Sequence, residues 1–269
     1  MRDLLDLLSR TLITAWGYFV FATGSVLWGI LGIPLALLLS RFWPRARDRF
    51  GDGTQLLLRA YIKRLPFIEL HVDQSRRLAV GSRVLVSNHQ SWLDPIVMLS
   101  LEPRVSGPAR GYMFRVPIVR SILKLGLFFL SDSAEPAPLD RMRQGVQEAL
   151  ERRGALLFYP EGTRTRTGEI GAFRHGAFRM AVEYKLPIQP VVIEGLDQVF
   201  PPGSVIVQTQ GRYLVRVRYL EPSQPPYAEG PQRRVVRELA QQVRSSMVEE
   251  LARLRTERGS AGQKRPGNA

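Results

Sequence analysis

The stretch Asn88-His89-Gln90-Ser91-Trp92-Leu93-Asp94 places an imidazole and a carboxylate five positions apart in a polar turn. If the chain folds back on itself here, the Asp94 carboxylate can accept a hydrogen bond from one ring nitrogen of His89. That bond would fix the tautomer of His89 and would stabilise its protonated form. The second ring nitrogen could then take a proton from an incoming hydroxyl, so the pair has the composition of a general-base centre.

The flanking residues indicate how this turn would be held. Residues 83–87 before it predict a short buried strand, and the apolar run 96–99 after it predicts a helix. Ser91 and Asp94 have the spacing of a capping box, which makes Ser91 the helix N-cap and places Asp94 in the first helical turn. A plain N-cap with a polar histidine beside it is the alternative interpretation of the same residues.

A second group of chemically capable residues ends another predicted buried strand, over residues 155–159. In an open α/β sheet, ligands bind beyond the carboxyl ends of the strands, so this group and the histidine turn can border one crevice. Gly162 permits close approach of a ligand to the backbone, and Arg164 offers a planar fork for a phosphate. Glu161 can hold an acceptor hydroxyl or orient the loop, and Thr163 adds a hydroxyl and an amide donor. The full stretch is Tyr159-Pro160-Glu161-Gly162-Thr163-Arg164.

Composition narrows the chemistry. The chain has 269 residues, of which 45% are hydrophobic, with no cysteine and three scattered histidines. Disulfides, a cysteine nucleophile and a metal site of the zinc type are therefore not expected. The formal net charge of +14 predicts attraction to polyanions, such as anionic membrane lipids or a phosphorylated or acidic carrier. We expect no nucleic-acid partner, because the sequence contains no recognisable nucleic-acid-binding module.

The N-terminal region has the composition of a membrane segment. Residues 11–40 contain no acidic, basic or histidine residue, and a spanning helix needs only about 20 apolar positions. The run predicts either one tilted helix or a broken pair of helices that enters one leaflet and returns. It is too long for a cleaved signal peptide. A cluster of basic residues follows it, which predicts an inner (cytoplasmic) membrane location with the rest of the chain facing the cytoplasm. These residues are Arg41, Arg45, Arg47 and Arg49.

The remaining pattern predicts a catalytic domain attached to this segment. Residues 45–64 mix basic and leucine positions, which is typical of a helix near lipid headgroups and equally of an amphipathic helix packed on the next domain. Beyond residue 67, strands alternate with helices, which predicts an α/β fold with a largely parallel sheet flanked by helices. Strands are predicted over residues 68–72, 83–87, 128–130, 155–159, 187–193, 205–208 and 213–220, and helices over residues 92–101, 140–153 and 232–257. The predicted organisation is a membrane anchor with an interfacial helix, a catalytic domain, a C-terminal helix and a disordered tail, over residues 1–64, 65–225, 226–258 and 259–269.

Four motifs in one order along the chain resemble those of the glycerolipid acyltransferases, the PlsC-like 1-acylglycerol-3-phosphate acyltransferase family. They are Asn88-His89-x-Ser91-x-x-Asp94, Pro160-Glu161-Gly162-Thr163-Arg164, Phe173-Arg174-x-Gly176-Ala177 and Leu186-Pro187-Ile188-x-Pro190-Val191. The resemblance covers residues 65–222 and implies a membrane-bound acyltransferase with no permanently bound cofactor. It implies transfer of a fatty acyl group from acyl-CoA or acyl carrier protein to a lysophospholipid hydroxyl, foremost that of 1-acylglycerol-3-phosphate, to give phosphatidate.

The resemblance also implies roles for individual residues. His89 would be the general base and Asp94 would orient and charge it, with direct transfer from thioester to hydroxyl and no acyl-enzyme. Ser91, the nearby hydroxyl, is interpreted as the N-cap and not as a nucleophile. The expected substrate-binding residues are Glu161, Gly162, Thr163, Arg164, Arg115 and Lys124.

One motif departs from the family pattern. Where the family has an apolar stretch that ends in Asp-Arg or a similar basic residue, the stretch here ends in Ser131-Asp132. A carboxylate near a phosphate dianion repels it, so either other cations supply the charge or the acceptor is not a phosphomonoester. His175, at a position where lysine is common, weakens the cationic pocket further. Lyso-ornithine lipid or a polyene-lipid precursor is therefore the alternative acceptor, and a non-catalytic basic lipid-binding protein is the third interpretation.

Overall fold

The chain folds into a long N-terminal helix followed by alternating strands and helices. The computed structural model describes residues 2–43, 45–115, 120, 123, 128–130, 138–151, 154–200, 204, 206–207, 212–225 and 233–262. The helices are α1 (Arg2–Ser40), α2 (Ala46–Arg64), α3 (Asp94–Leu101), α4 (Pro138–Glu151), α5 (Gly176–Glu183), α6 (Leu196–Val199) and α7 (Arg233–Gly262), with a 3₁₀ helix at Gly111–Arg115. The strands are β1 (Ile68–Asp73), β2 (Arg83–Ser87), β3 (Val105–Ser106), β4 (Pro108–Ala109), β5 (Phe129–Leu130), β6 (Ala155–Phe158), β7 (Ile188–Glu194) and β8 (Tyr213–Tyr219).

Six of these strands form one sheet in the order β1-β8-β7-β2-β6-β3. Strands β7, β2, β6 and β3 run parallel to one another, whereas β8 is antiparallel to β7 and β1 is parallel to β8. Strands β4 and β5 form a separate parallel pair. The predicted α/β fold with a largely parallel sheet is therefore confirmed. The parallel pairing of β2 and β6 also brings the carboxyl ends of both strands to the same edge.

Helices cover both faces of the sheet, which explains why every residue of β2 is buried. Val84 and Val86 pack in one apolar cluster with α4, α5 and α7, whereas Leu85 packs in another with α2 and α3. A strand covered on both faces has a nearly continuous apolar sequence, as residues 83–87 do. Each fully buried aliphatic side chain contributes about 1.5–3 kcal/mol, so β2 is a rigid support for the histidine turn that follows it.

The N-terminal segment is one continuous helix, so the interpretation of residues 11–40 as a broken pair is wrong. Pro34 lies inside α1 without ending it. The part Leu7–Ser40 is long and apolar enough to cross a membrane, by length and composition. Ile13 and Tyr18 of α1 pack against the same sheet face that α2 and α3 cover. The helix therefore extends from the α2–α3 side of the domain.

Helix α2 has two environments. Ile62 is buried with residues of α3, as the amphipathic interpretation of residues 45–64 predicts. Phe50 contacts α1, where its ring stacks on Trp28 with 5.2 Å between the ring centroids. Leu56 and Leu57 are exposed. The helix thus packs on the domain and on α1 while presenting leucine side chains outwards.

The strands predicted over residues 68–72, 83–87, 128–130, 155–159, 187–193 and 213–220 are all present to within two residues at each end. The start of α3 differs from the prediction, because the helix begins at Asp94 with Leu93 as its N-cap. Ser91 is therefore not the N-cap. The Asp94 carboxylate binds the N–H groups of residues 90 and 91, and these bonds hold the chain in a turn before the helix starts.

Two predictions near the C-terminus need correction. Residues 206–207 are not in a strand, and the rest of the predicted strand 205–208 lies outside the described residues. Helix α7 continues to Gly262, so the prediction that the disordered tail begins at residue 259 is wrong for residues 259–262. Arg258 near this end pairs with the buried carboxylate of Glu194, which fixes the last turns of the helix to the sheet.

Candidate active site

His89 and Asp94 meet just beyond the carboxyl end of β2. Nδ1 of His89 lies 2.8 Å from Oδ2 of Asp94, and Asp94 is the first residue of α3. The strand-to-helix turn thus brings the two side chains into contact. Because Nδ1 is bonded to the carboxylate, Nε2 is the ring nitrogen that can accept a proton from a hydroxyl.

The Asp94 carboxylate is completely buried and is held by local donors. Besides the bond from His89, Oδ2 accepts the N–H groups of Gln90 and Ser91, each at 2.7 Å. Burial raises the pKa of Asp94, while the hydrogen bonds from the imidazole and from the two amides oppose that rise. A carboxylate fixed by three donors cannot rotate away, so it holds the imidazole in one orientation.

Tyr159 covers one flat side of the imidazole. The ring centroids of His89 and Tyr159 lie 4.4 Å apart with 29° between the planes, which is a stacked arrangement. The His89 side chain remains 18% exposed, so the ring can be reached from the crevice. The Tyr159 hydroxyl is buried and has no hydrogen-bond partner among the described residues. Burial, and secondarily the charge of Asp94, raises the pKa of Tyr159 well above its ordinary value. Tyr159 therefore contributes its ring rather than a hydrogen bond.

Glu161 ties the second motif to the histidine turn. Its Oε1 accepts the N–H of His89 at 3.0 Å, and its Oε2 accepts the N–H of Gly171 at 2.9 Å. In return, the N–H of Thr165 donates to the carbonyl of His89 at 2.8 Å. Burial raises the pKa of Glu161, and the two backbone hydrogen bonds oppose the rise. These two backbone hydrogen bonds show that the carboxylate orients the loop relative to the histidine turn.

Asn88 fixes the start of the turn to the neighbouring strand β7. Its Nδ2 donates to the carbonyl of Ile193 at 2.9 Å, and its Oδ1 accepts the N–H of Ile193 at 2.8 Å. The side chain of Asn88 is buried. These two bonds satisfy backbone groups that would otherwise be buried without partners. The position of His89 is consequently set by β7 as well as by β2.

Arginine side chains gather around Gly162. This residue has φ of +70°, a left-handed conformation that glycine adopts without strain. A Cβ at this position would lie 2.6 Å from Nε of Arg174, and the guanidinium of Arg110 donates to the Gly162 carbonyl. Thr163 and Arg164 follow directly and are exposed. The loop beside the imidazole therefore presents several guanidinium groups to the crevice, which suits an anionic group such as a phosphate.

Not every predicted binding residue is brought to this loop. Arg115 ends the 3₁₀ helix and is exposed, and no hydrogen bond or ion pair joins it to the Gly162 loop within the described ranges. Lys124 and Asp132 lie outside the described residues. Within the part of the chain that the structure describes, no group of three His, Asp or Glu side chains could hold a metal ion.

Arg110 and Arg174 contact the site although neither was among the predicted binding residues. Arg174 belongs to the third of the four motifs, so its place beside a glycine loop could have been expected from the resemblance. Arg110 stands in none of the motifs, and only its contact with the Gly162 carbonyl identifies it. Sequence spacing could not find it, because the two residues are 52 positions apart.

An apolar cavity adjoins the histidine turn on the side of α1 and α2. Trp92, directly after Ser91, forms part of its wall, and the Trp92 ring lies 5.6 Å from that of Tyr18 and 6.0 Å from that of Phe200. The cavity has a volume of ≈ 30 Å³. Its other lining residues are Ile13, Thr14, Gly17, Phe21, Tyr61, Leu65, Phe67, Leu93, Ile96 and Val207. The turn thus separates an apolar region next to α1 from the cationic loop of Gly162.

These features define what the site can do chemically. An imidazole with a buried carboxylate at the carboxyl edge of an α/β sheet, flanked by guanidiniums on one side and an apolar cavity on the other, can take a proton from a hydroxyl and bind an anionic group. The Acyltransferase family model matches residues 69–194, which include both motif loops.

Comparison with known proteins shows which enzymes the chain is similar to. The chain is 28% identical over 199 residues to the chloroplastic 1-acyl-sn-glycerol-3-phosphate acyltransferase LPAT1 of Arabidopsis thaliana, covering 73% of this chain and 54% of that protein. It is 30% identical over 189 residues to the 1-acyl-sn-glycerol-3-phosphate acyltransferase of Saccharomyces cerevisiae, covering 68% and 60%. The crystal structure of the 1-acyl-sn-glycerophosphate acyltransferase PlsC from Thermotoga maritima has the same fold, with a TM-score of 0.77, 19% identity and full coverage of both chains. The chain spans just over half the length of these two curated relatives. The chain thus matches the Acyltransferase family over residues 69–194 and is similar to 1-acyl-sn-glycerol-3-phosphate acyltransferases.

Proposed function

We propose that the chain is a membrane-bound O-acyltransferase that moves a fatty acyl group from acyl-CoA or acyl carrier protein to the hydroxyl of 1-acylglycerol-3-phosphate, giving phosphatidate. The observation that carries this proposal is the 2.8 Å contact between His89 and the buried Asp94 at the carboxyl edge of the sheet. The names of the curated relatives, which refer to acylation of 1-acyl-sn-glycerol-3-phosphate, support the choice of acceptor.

In this mechanism the reaction proceeds in one ternary complex. Nε2 of His89 takes the proton of the acceptor hydroxyl while the hydroxyl oxygen attacks the thioester carbonyl carbon. The negative charge of Asp94 stabilises the imidazolium that forms, and backbone amides near the motif stabilise the oxyanion of the tetrahedral intermediate. When the intermediate collapses, the C–S bond breaks and the imidazolium gives its proton to the departing thiolate. The products are the lipid ester and the free thiol.

Ser91 takes no covalent part in this scheme. Its Oγ accepts the N–H of Leu93 at 3.3 Å, which is a structural role within the turn. Its side chain is buried, whereas the imidazole of His89 retains an open surface. Direct transfer needs only one base, and His89 supplies it.

The acceptor phosphate would bind at the Gly162 loop. Arg164 and Arg174 are exposed there, and Arg110 already contacts the loop carbonyl. Guanidinium groups bind phosphate oxygens in pairs, which would hold the glycerol hydroxyl near Nε2. Asp132, at the position where the family has a basic residue, favours a second candidate acceptor that lacks a phosphomonoester, such as lyso-ornithine lipid. Labelled acyl transfer to a panel of lyso-lipids decides between the two acceptors.

We place the enzyme in the inner (cytoplasmic) membrane, with α1 in the bilayer and the catalytic domain in the cytoplasm. The length and apolar composition of α1 support insertion. The basic cluster that follows α1 supports the cytoplasmic orientation. The apolar cavity beside Trp92 lies next to α1, so the apolar side of the histidine turn faces the proposed bilayer segment.

The proposal is tested with the purified full chain in detergent, lysophosphatidate and labelled acyl-CoA or acyl carrier protein. His89→Ala should lower the rate of phosphatidate formation by about 10²–10⁴-fold, which is the contribution of a general base. His71→Ala is the matched control, because His71 lies on β1, is 60% exposed and pairs only locally with Glu69 among the described residues. Near-normal turnover of folded His89→Ala protein would exclude the mechanism.

A further inference from the structure

A charged cleft lies on the sheet face that α4, α5 and α7 cover. Its volume of ≈ 380 Å³ falls in the range of small-molecule sites, which is about 300–1,000 Å³. Its lining residues are Arg143, His175, Arg179, Glu183, Arg233 and Val236. None of them belongs to the histidine turn or to the Gly162 loop. We refer to this site as the α4–α5–α7 cleft.

The charges of the α4–α5–α7 cleft favour an anion. Glu183 binds the guanidinium of Arg143 through contacts of 2.7 and 3.2 Å, and Asp140 lies 3.4 Å from the same guanidinium. The negative charges of Glu183 and Asp140 are therefore paired with Arg143. Considering the described residues only, Arg179 and Arg233 have no acidic partner. Two exposed guanidinium forks consequently remain for phosphate oxygens.

Two helix ends add to this positive potential. Helix α5 begins at Gly176, its N-cap His175 makes no side-chain capping bond, and its first turn has no acidic residue. Helix α7 begins at Arg233, also without an acidic residue in the first turn. A helix N-terminus carries a partial positive charge and unpaired N–H groups, so each end reinforces the arginines in attracting an anion.

The position of the cleft indicates whether the anion is a lipid headgroup or a soluble molecule. Helices α1, α2 and α3 lie on the opposite face of the sheet, so a lipid headgroup held beside α1 is on the wrong side. The cleft nevertheless adjoins the catalytic edge, because His175 directly follows Arg174, whose guanidinium packs on Gly162. The neighbouring Glu161 binds the backbone of His89. A soluble polyanion is therefore the kind of ligand that suits the cleft.

We infer that the α4–α5–α7 cleft binds the phosphorylated nucleotide end of acyl-CoA. This nucleotide carries a 5′-diphosphate and a 3′-phosphate, which match the guanidiniums of Arg179 and Arg233. The uncharged pantetheine arm passes His175 and Arg174 and brings the thioester to His89. The inference rests on the proposed function and deepens it by naming CoA, and not a carrier protein, as the group that carries the acyl chain in the donor. A concave site of this size suits a nucleotide better than the convex helix of a carrier protein.

The first test measures binding without catalysis. Isothermal titration of the full chain carrying His89→Ala with CoA, and with adenosine 3′,5′-bisphosphate, gives a dissociation constant that does not depend on turnover. Adding Arg179→Gln or Arg233→Gln should weaken both ligands by about tenfold each, because each change removes a charge-assisted hydrogen bond. Arg76→Gln is the matched control, since Arg76 is 60% exposed near the opposite edge of the sheet. Unchanged affinity in the Arg179→Gln, Arg233→Gln double variant overturns the inference.

The second test uses the otherwise unaltered enzyme with both donors. The double variant should raise the KM for acyl-CoA by about 10- to 100-fold, while kcat and the KM for lysophosphatidate stay within threefold. A rise confined to acyl carrier protein would show that a protein docks in the cleft and would refute the nucleotide assignment. If CoA binding is lost in the double variant but no lipid is acylated, the cleft assignment stands and the proposed function fails. If lipid is acylated but the double variant binds CoA as tightly as the wild type does, the proposed function stands and the cleft assignment fails.

Discussion

The hydrogen bond between Asp94 and His89 makes Asp94→Asn the most informative substitution. The amide oxygen of asparagine can occupy the place of Oδ2 and keep the bonds from His89, Gln90 and Ser91. The amide nitrogen then takes the place of Oδ1, which has no hydrogen-bond partner among the described residues. The geometry of the turn is therefore preserved and the negative charge is removed.

The size of the effect follows from the lost charge. With about 4 Å between the centres of the imidazolium and carboxylate charges and an effective dielectric constant of about 20, their attraction is about 4 kcal/mol. Because the imidazolium forms only in the transition state, this loss should lower kcat by about a thousandfold. Single-turnover measurements with labelled acyl donor check this value, and Asp73→Asn, at the far end of β1, should leave kcat unchanged. A folded Asp94→Asn enzyme with kcat within tenfold of the wild type would refute the role of the carboxylate.

The same substitution should change how stability depends on pH. Burial raises the pKa of Asp94 in the folded state, so the stabilising contribution of this carboxyl is fully present below its unfolded-state pKa and is lost as the pH rises through the folded-state pKa. The stability difference between wild type and Asp94→Asn should thus be largest in acid and should narrow towards neutral pH. Denaturant unfolding of both proteins at several pH values measures this difference in the free energy of unfolding. A difference that widens with rising pH would contradict the raised pKa.

Two further predictions concern the neighbours of His89. Tyr159→Phe keeps the ring that stacks on His89 and removes a buried hydroxyl without a partner in the described structure. This substitution should preserve kcat and should stabilise the fold by about 1–2 kcal/mol, as measured by thermal unfolding. A tenfold fall in kcat would show that the hydroxyl takes part in the reaction. Gly162→Ala imposes a left-handed conformation on alanine and places its Cβ against the Arg174 guanidinium. It should cost about 1–2 kcal/mol of stability and raise the KM for lysophosphatidate about tenfold. Gly81→Ala, where a Cβ meets nothing within 4 Å, is the control, and equal behaviour of the two variants would contradict the placement of Arg174.

Local features of the site could be predicted because they depend on neighbours in the sequence. His89 and Asp94 are five positions apart, and the strand before them and the helix after them force the chain to turn between the two residues. The strands 83–87 and 155–159 could also be recognised, since apolar runs of this length are typical of strands buried on both faces. The prediction of Ser91 as the N-cap is wrong, because the carboxylate of Asp94 binds the amides of residues 90 and 91 and the helix starts only at Asp94.

Distant contacts were decided by the tertiary structure alone. Glu161 reaches the N–H of His89 across 72 positions, and Asn88 reaches Ile193 across 105 positions. Both contacts depend on β2 lying between β6 and β7 in the sheet, and the order of strands does not follow from the periodicity of any one segment. The same holds for Arg110 at the Gly162 loop and for the α4–α5–α7 cleft. The sequence by itself determined the reacting pair, whose bond closes within one turn, whereas the packing of separate strands and helices decided which cations and which backbone amides surround it.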